Sequence, residues 1–128
     1  MNEVLRDEYL DEVAAAVRYV IESAANAVGS RGPDDGELRH GALWEPVQRL
    51  RQSLVSDEHK ADFVAVVAHL ASTLAHSLLV TLDGGTALSN DGMKVFLTDR
   101  NGEEIADVLH ERLFDHLDVD EAVRTALG

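Results

Sequence analysis

The chain has 128 residues, long enough for one domain with a proper core, and no cysteine, so no disulfide staples it. Its 24 acids against 11 bases give a formal charge of −13, which argues against direct contact with a nucleic-acid backbone and makes a basic partner the natural counterpart. Absence of cysteine, and a start without the basic-then-apolar pattern of a secretory leader, lead us to expect a cytoplasmic protein, and nine arginines against two lysines point to a GC-rich bacterial source.

Asn2 is placed to cap a first helix, with Glu3, Asp7 and Glu8 near the positive end of its dipole. Leu10, Val13, Ala14, Val17, Val20 or Ile21, Ala24 and Val28 keep a helical period and form its expected inward stripe. Gly29, Gly32, Pro33 and Gly36 then break the pattern, predicting a flexible loop over about 29–41. Helical spacing returns at Leu43, Trp44, Val47, Leu50 and Leu54, and Pro46 suits a first turn. Trp44 is expected to be largely buried. Arg49 and Arg51 read as part of a solvated face.

From Phe63 to Leu82 there is no Asp, Glu, Lys or Arg. Phe63, Val66, Val67, Leu70, Leu74, Leu78 and Leu82 recur at three-to-four spacing, so this stretch is read as a central helix over about 57–83, capped by Ser56 and turned with its Leu stripe to the core. The opposite side carries Ala65, Ala68, His69, Ser72, His76 and Leu79, small or weakly polar residues suited to close approach by a second layer or a second copy. On that basis Ala65, His69, Ser72 and His76 are the expected oligomer or pocket face, the oligomer being a twofold dimer. The stretch is also long enough to cross a bilayer, but two His, two Ser and two Thr within it, with no basic flank, weigh against a membrane.

Beyond Gly84 and Gly85, residues Met93 to Thr98 have strand character, and Asn101-Gly102 is a strong hairpin signal. These predict a small antiparallel ribbon over about 93–105 around a type I′ turn. Ile105, Leu109, Leu113 and Leu117 step by four through a further helix, and Asp118 or Asp120 caps a last one ending near Leu127. The expected fold is therefore α+β, predominantly helical: four to five helices around the central one, with that ribbon, in a single domain 1–128.

Catalytic and metal motifs do not assemble. His69 and His76 share a face but lie about 10 Å apart along the axis, too far to share one zinc. His110-Glu111-Arg112-Leu113-Phe114 has Phe114 where a metalloprotease needs its second His. Asp99-Arg100-Asn101-Gly102 fails the calcium-loop register, and neither a dinucleotide nor a phosphate-loop glycine pattern is present. No cofactor and no metal are expected. What stands above background is the run from Asp99 to Glu121, with nine acids against two arginines. Asp99, Glu103, Glu104, Asp107, Glu111 and Asp115 are the expected partner-binding residues, in a non-enzymatic acidic interaction protein of inhibitor, immunity or regulatory type that meets a basic protein. Two other readings stand beside it: a small-ligand binder or hydrolase-like enzyme with a His-lined helical pocket, and an assembly subunit of an oligomer.

Overall fold

A computed structural model describes residues 2–29, 42–83, 97–105 and 108–128. Five helices occur among them: α1 (Glu3–Val28), α2 (Trp44–Ser53), α3 (Asp57–Leu82), α4 (Leu109–His116) and α5 (Val119–Leu127). The expected loop over 29–41 falls, apart from Gly29, outside these residues.

Local chemistry sets the helix starts. Asn2 accepts a hydrogen bond from the Leu5 N–H at 3.0 Å, Ser56 from the His59 N–H at 3.0 Å, and Asp118 from the Glu121 N–H at 3.0 Å. Each satisfies a donor that the first turn leaves without an intrahelical acceptor. At the other end of α1, Arg51 reaches from α2 and donates to the carbonyls of Ala27 at 2.5 Å and Asn26 at 3.0 Å. A cation on these carbonyls suits the negative end of the dipole, so Arg51 ties α2 to α1 and does not belong to a merely solvated face. Arg18 does the same for α4 by donating to the His116 carbonyl at 2.7 Å.

Two long helices, α1 and α3, pack side by side, and α4 and α5 close over one flank of the pair. The larger core cluster joins Ala14, Val17, Ile21, Ala24, Ala25 and Val28 of α1 to Val64 and Ala68 of α3, with Leu117 between α4 and α5. A second gathers Leu10, Leu79, Leu109 and Leu113. Alanines on both long helices leave room for close backbone approach, so dispersion contacts are made along most of their length. In α1 the inward residue is Ile21, while Val20 is exposed.

The central helix is rotated from the sequence expectation: Phe63, Val67 and Leu82 of the expected stripe still pack against the core, but its middle does not. Val64, Ala68, Ser72 and Leu79 are its buried residues, whereas Val66, Leu70, Leu74 and Leu78 are 58, 62, 62 and 57% exposed. From Phe63 onward both sides of α3 are uncharged, so apolar periodicity alone could not choose between them. The small side wins because it lets α1 approach closely enough for continuous packing.

The α+β expectation is also overturned. Among the described residues there is no strand or sheet, and the proposed ribbon is reduced to an isolated antiparallel bridge between Thr98 and Glu104. Its first-strand residues Met93–Phe96 lie outside the described residues. The turn differs in type as well: Gly102 N–H donates to the Asp99 carbonyl at 3.1 Å, and Gly102 has φ +82° while Asn101 is not in the positive-φ region. This is a type I turn closed by a left-handed glycine, not the type I′ turn expected from Asn101-Gly102. The Asp99 carboxylate decides it by accepting the N–H groups of Asn101 at 2.8 Å and Glu103 at 3.0 Å. Trp44 begins α2 half-buried, less enclosed than its sequence position suggested.

Candidate functional site

Three surface features carry chemistry. The first is a cleft of about 720 Å³ where α3 faces α4 and α5. Ala65, His69, Ser72 and His76, grouped on sequence grounds, all line it, because their three-to-four spacing follows one side of α3. Phe114 from α4 and Asp120 and Arg124 from α5 complete the polar and aromatic wall. Ser72 itself is buried and donates its hydroxyl to the His69 carbonyl at 3.0 Å, so it closes on its own helix and is not offered to a ligand.

At one end of this cleft the His76 ring stacks on Phe114 with centroids 6.1 Å apart and meets the edge of His110 at 5.5 Å. His110 is in turn hydrogen-bonded through Nδ1 to the Asp83 carboxylate. Asp83, the residue after α3, has a side chain only 6% exposed, and it also accepts the N–H groups of Leu109 and His110 at 2.9 Å each. It is thus the N-cap of α4 supplied from another helix, a role that compensates for Val108, which precedes α4 in the left-handed region at φ 54°. An oriented carboxylate–imidazole pair resembles half of a catalytic triad. Here its bonds are spent on capping, and among the described residues no nucleophile of the kind a triad requires contacts it.

The second feature is a groove of about 500 Å³ between the first half of α1 and the segment 97–105. Its floor is Leu5, Tyr9, Leu97 and Ile105, and its rim is Glu8, Asp11 and Glu12. Folding thereby joins two acidic stretches that lie far apart in the chain. The Asn2 N–H donates to the Glu104 carbonyl at 3.4 Å, and His116 of α4 contacts Asp11 through Nδ1 at 2.6 Å and Asp7 through Nε2 at 3.8 Å. Of the expected partner-binding residues, Glu103 and Glu104 are exposed on the turn and Glu111 and Asp115 on α4. Asp99 is instead a structural residue. Its carboxyl is held below the usual carboxylate range, chiefly by the Glu103 N–H and then by the Asn101 N–H. Asp107 lies outside the described residues.

The third feature is a groove of about 510 Å³ between α1 and α3, walled by Val13, Ala16 and Val20 on one side and by Val67, Leu70, Leu74 and Leu78 on the other; among the described residues, no charged one lines it. By length and composition α3 could cross a membrane; in this fold one side of it is packed against α1, α4 and α5. No group of three or more potential metal ligands occurs among the described residues.

Sequence reasoning missed Asp83, Phe114, Arg124 and the acidic rim of Glu8, Asp11 and Glu12. Their significance is created by tertiary contact, and no local spacing announces it. Comparison with known proteins adds no identity: no family model, no curated protein and no solved structure matches this chain.

Proposed function

We propose that this chain is a non-enzymatic interaction protein whose task is to engage a basic protein partner through its acidic face. The observation that carries the reading is the groove beside α1, where an apolar floor of Leu5, Tyr9 and Leu97 is rimmed by Glu8, Asp11 and Glu12. An arginine or lysine side chain suits such a groove at both ends: its aliphatic stem lies along the floor and its charged head meets the rim. Glu103, Glu104, Glu111 and Asp115 are exposed on adjoining segments and enlarge the negative field that steers encounter. Dispersed acids would give solubility; acids around an apolar floor also give a place to dock.

The test uses a fluorescent peptide of alternating arginine and leucine, followed by pull-down from cell extract with the same variants. Glu8→Lys with Glu12→Lys is expected to weaken peptide binding at least about tenfold and to flatten its salt dependence. Glu103→Lys, Glu104→Lys and Glu111→Lys together should mainly slow association. Equal affinity and equal salt dependence in the wild type and both variants would refute the proposal.

A second reading is favoured by one observation, the convergence of His69, His76 and Arg124 on the 720 Å³ cleft. In a chain this acidic, a cleft with cationic capacity suits a small carboxylate or phosphate with an apolar body against Phe114, Val119 and Val123. Thermal shift with phosphate and with short aromatic carboxylates, in the wild type and Arg124→Ala, decides it. A rise in melting temperature that Arg124→Ala abolishes supports that reading, and no rise with any of them removes it.

A further inference from the structure

The exposed side of α3 presents a contradiction that the fold alone does not resolve. A chain of formal charge −13 leaves four large aliphatic side chains, Val66, Leu70, Leu74 and Leu78, more than half uncovered in one row. Steps of four residues make this row an i±4n ridge, about 18 Å long from first to last at the helical rise. Beside it runs the charge-free groove walled on its far side by Val13, Ala16 and Val20 of α1. Ridge and groove lie next to each other on the same surface.

We propose that this face is the seat of a second copy of the chain, in a twofold dimer whose Val66–Leu78 ridges cross, each lying in the partner copy's α1–α3 groove. Three arguments choose this occupant. Shape is the first: the ridge of a helix packs into the groove of another, two i±4n ridges interdigitate at about −50°, and a twofold axis near Leu70 and Leu74 presents the same ridge and groove on both sides. Charge is the second. A basic or acidic partner finds nothing to pair with in an uncharged lining, whereas two copies of an acidic chain can meet here without setting lining carboxylates against each other.

Area is the third argument. Each of the four ridge side chains leaves on the order of 100 Å² uncovered, and with Val20 and the α1 alanines the patch reaches about 500 Å² per copy. A twofold pair therefore buries about 1,000 Å², which meets the threshold for a specific interface. A bilayer is the poorer occupant, because an interfacial helix draws much of its hold from basic residues near anionic lipid and the only lysine of α3 is Lys60, near its start.

Sedimentation and light scattering between about 1 and 100 µM are the test, with vesicle flotation in parallel. The wild type is expected to run at twice its 13.9 kDa mass at the upper concentrations, and Leu70→Glu and Leu74→Glu at a single mass with unchanged helical circular dichroism, since both positions are exposed in one copy. The chain has no cysteine of its own, so Leu74→Cys should give a disulfide-linked dimer on mild oxidation while Val55→Cys, exposed elsewhere, should not. Raising sodium chloride from about 50 to 500 mM should tighten the dimer, because screening relieves repulsion between the two negative copies. That sign is opposite to the one expected for a basic partner, so this inference and the proposed function fail separately. A wild-type monomer throughout the range overturns the proposal. So does a dimer that survives Leu74→Glu, flotation with lipid vesicles that Leu74→Glu abolishes, or a monomer that Leu74→Glu destabilises, which would mean that the groove is filled within a single copy.

Discussion

Asp83 couples two helices through one carboxylate. It ends α3, and its oxygens accept the first two N–H groups of α4 together with the His110 ring. Replacing it by alanine removes a cap and a buried acceptor, and should lower stability by about 2 kcal/mol in urea unfolding, whereas asparagine, which keeps one acceptor oxygen, should cost about half as much. A loss no larger than that of an exposed Asp118→Ala cap would show that α4 is held by its leucines alone. Asp99 gives a pH dependence. Its carboxyl is depressed in the folded chain by the Glu103 and Asn101 N–H groups, so its contribution is fully present above the unfolded value of about 4 and is lost as pH falls through the lower folded value. Wild type should therefore exceed Asp99→Ala in denaturant midpoint by a constant margin from pH 7 to about 5, and the two should converge below about pH 4.

Between α1 and α3 the small residues decide the geometry. Ala68 is fully buried against α1, so Ala68→Leu should force the helices apart and cost about 1 to 3 kcal/mol, although leucine is the better hydrophobe. Leu74→Ala, on the other side of the same helix, should leave the stability of a single copy nearly unchanged. Thermal melts of the two variants at low micromolar concentration check the pair, and a reversed order would return the Leu stripe to the core. This is also where the limit of the sequence lies. Helix starts at Asn2, Ser56 and Asp118 were legible because a cap is a local bond, and Leu109 and Leu113 were legible as the inward side of α4, whereas Ile105 lies in the segment before that helix and Leu117 ends it, so the expected four-step row is only half helical. The orientation of α3 was not, since a helix uncharged on both sides has no polarity to read. The ribbon failed for a similar reason: Asp99, two residues before Asn101, supplies side-chain bonds that reset the turn. His69 and His76 could be grouped from their spacing, but Phe114 and Arg124, which make their surroundings a cleft, arrive from other helices.

Over the whole molecule the charges repel one another, and this sets a lever that acts on all the contacts together. At −13 the compact state carries self-repulsion that salt screens, so the melting temperature should rise by a few degrees between about 50 and 500 mM sodium chloride even for Leu74→Glu, which cannot use the apolar groove. A fall in melting temperature with salt, read by differential scanning calorimetry, would mean that specific ion pairs outweigh the net charge.

Tyr9 has a consequence beyond packing. Its side chain is a shared wall, lining the acid-rimmed groove on one side and the charge-free groove on the other. If the ring's rotamer, fixed from one side, sets the shape met from the other, occupancies of the two grooves would be thermodynamically linked, and any factor by which one changed the other would hold in reverse. Apparent affinity for a basic partner would then drift with the total concentration of the chain itself. A titration repeated at several protein concentrations, with Tyr9→Ala as the uncoupled reference, would measure that drift as a single coupling constant.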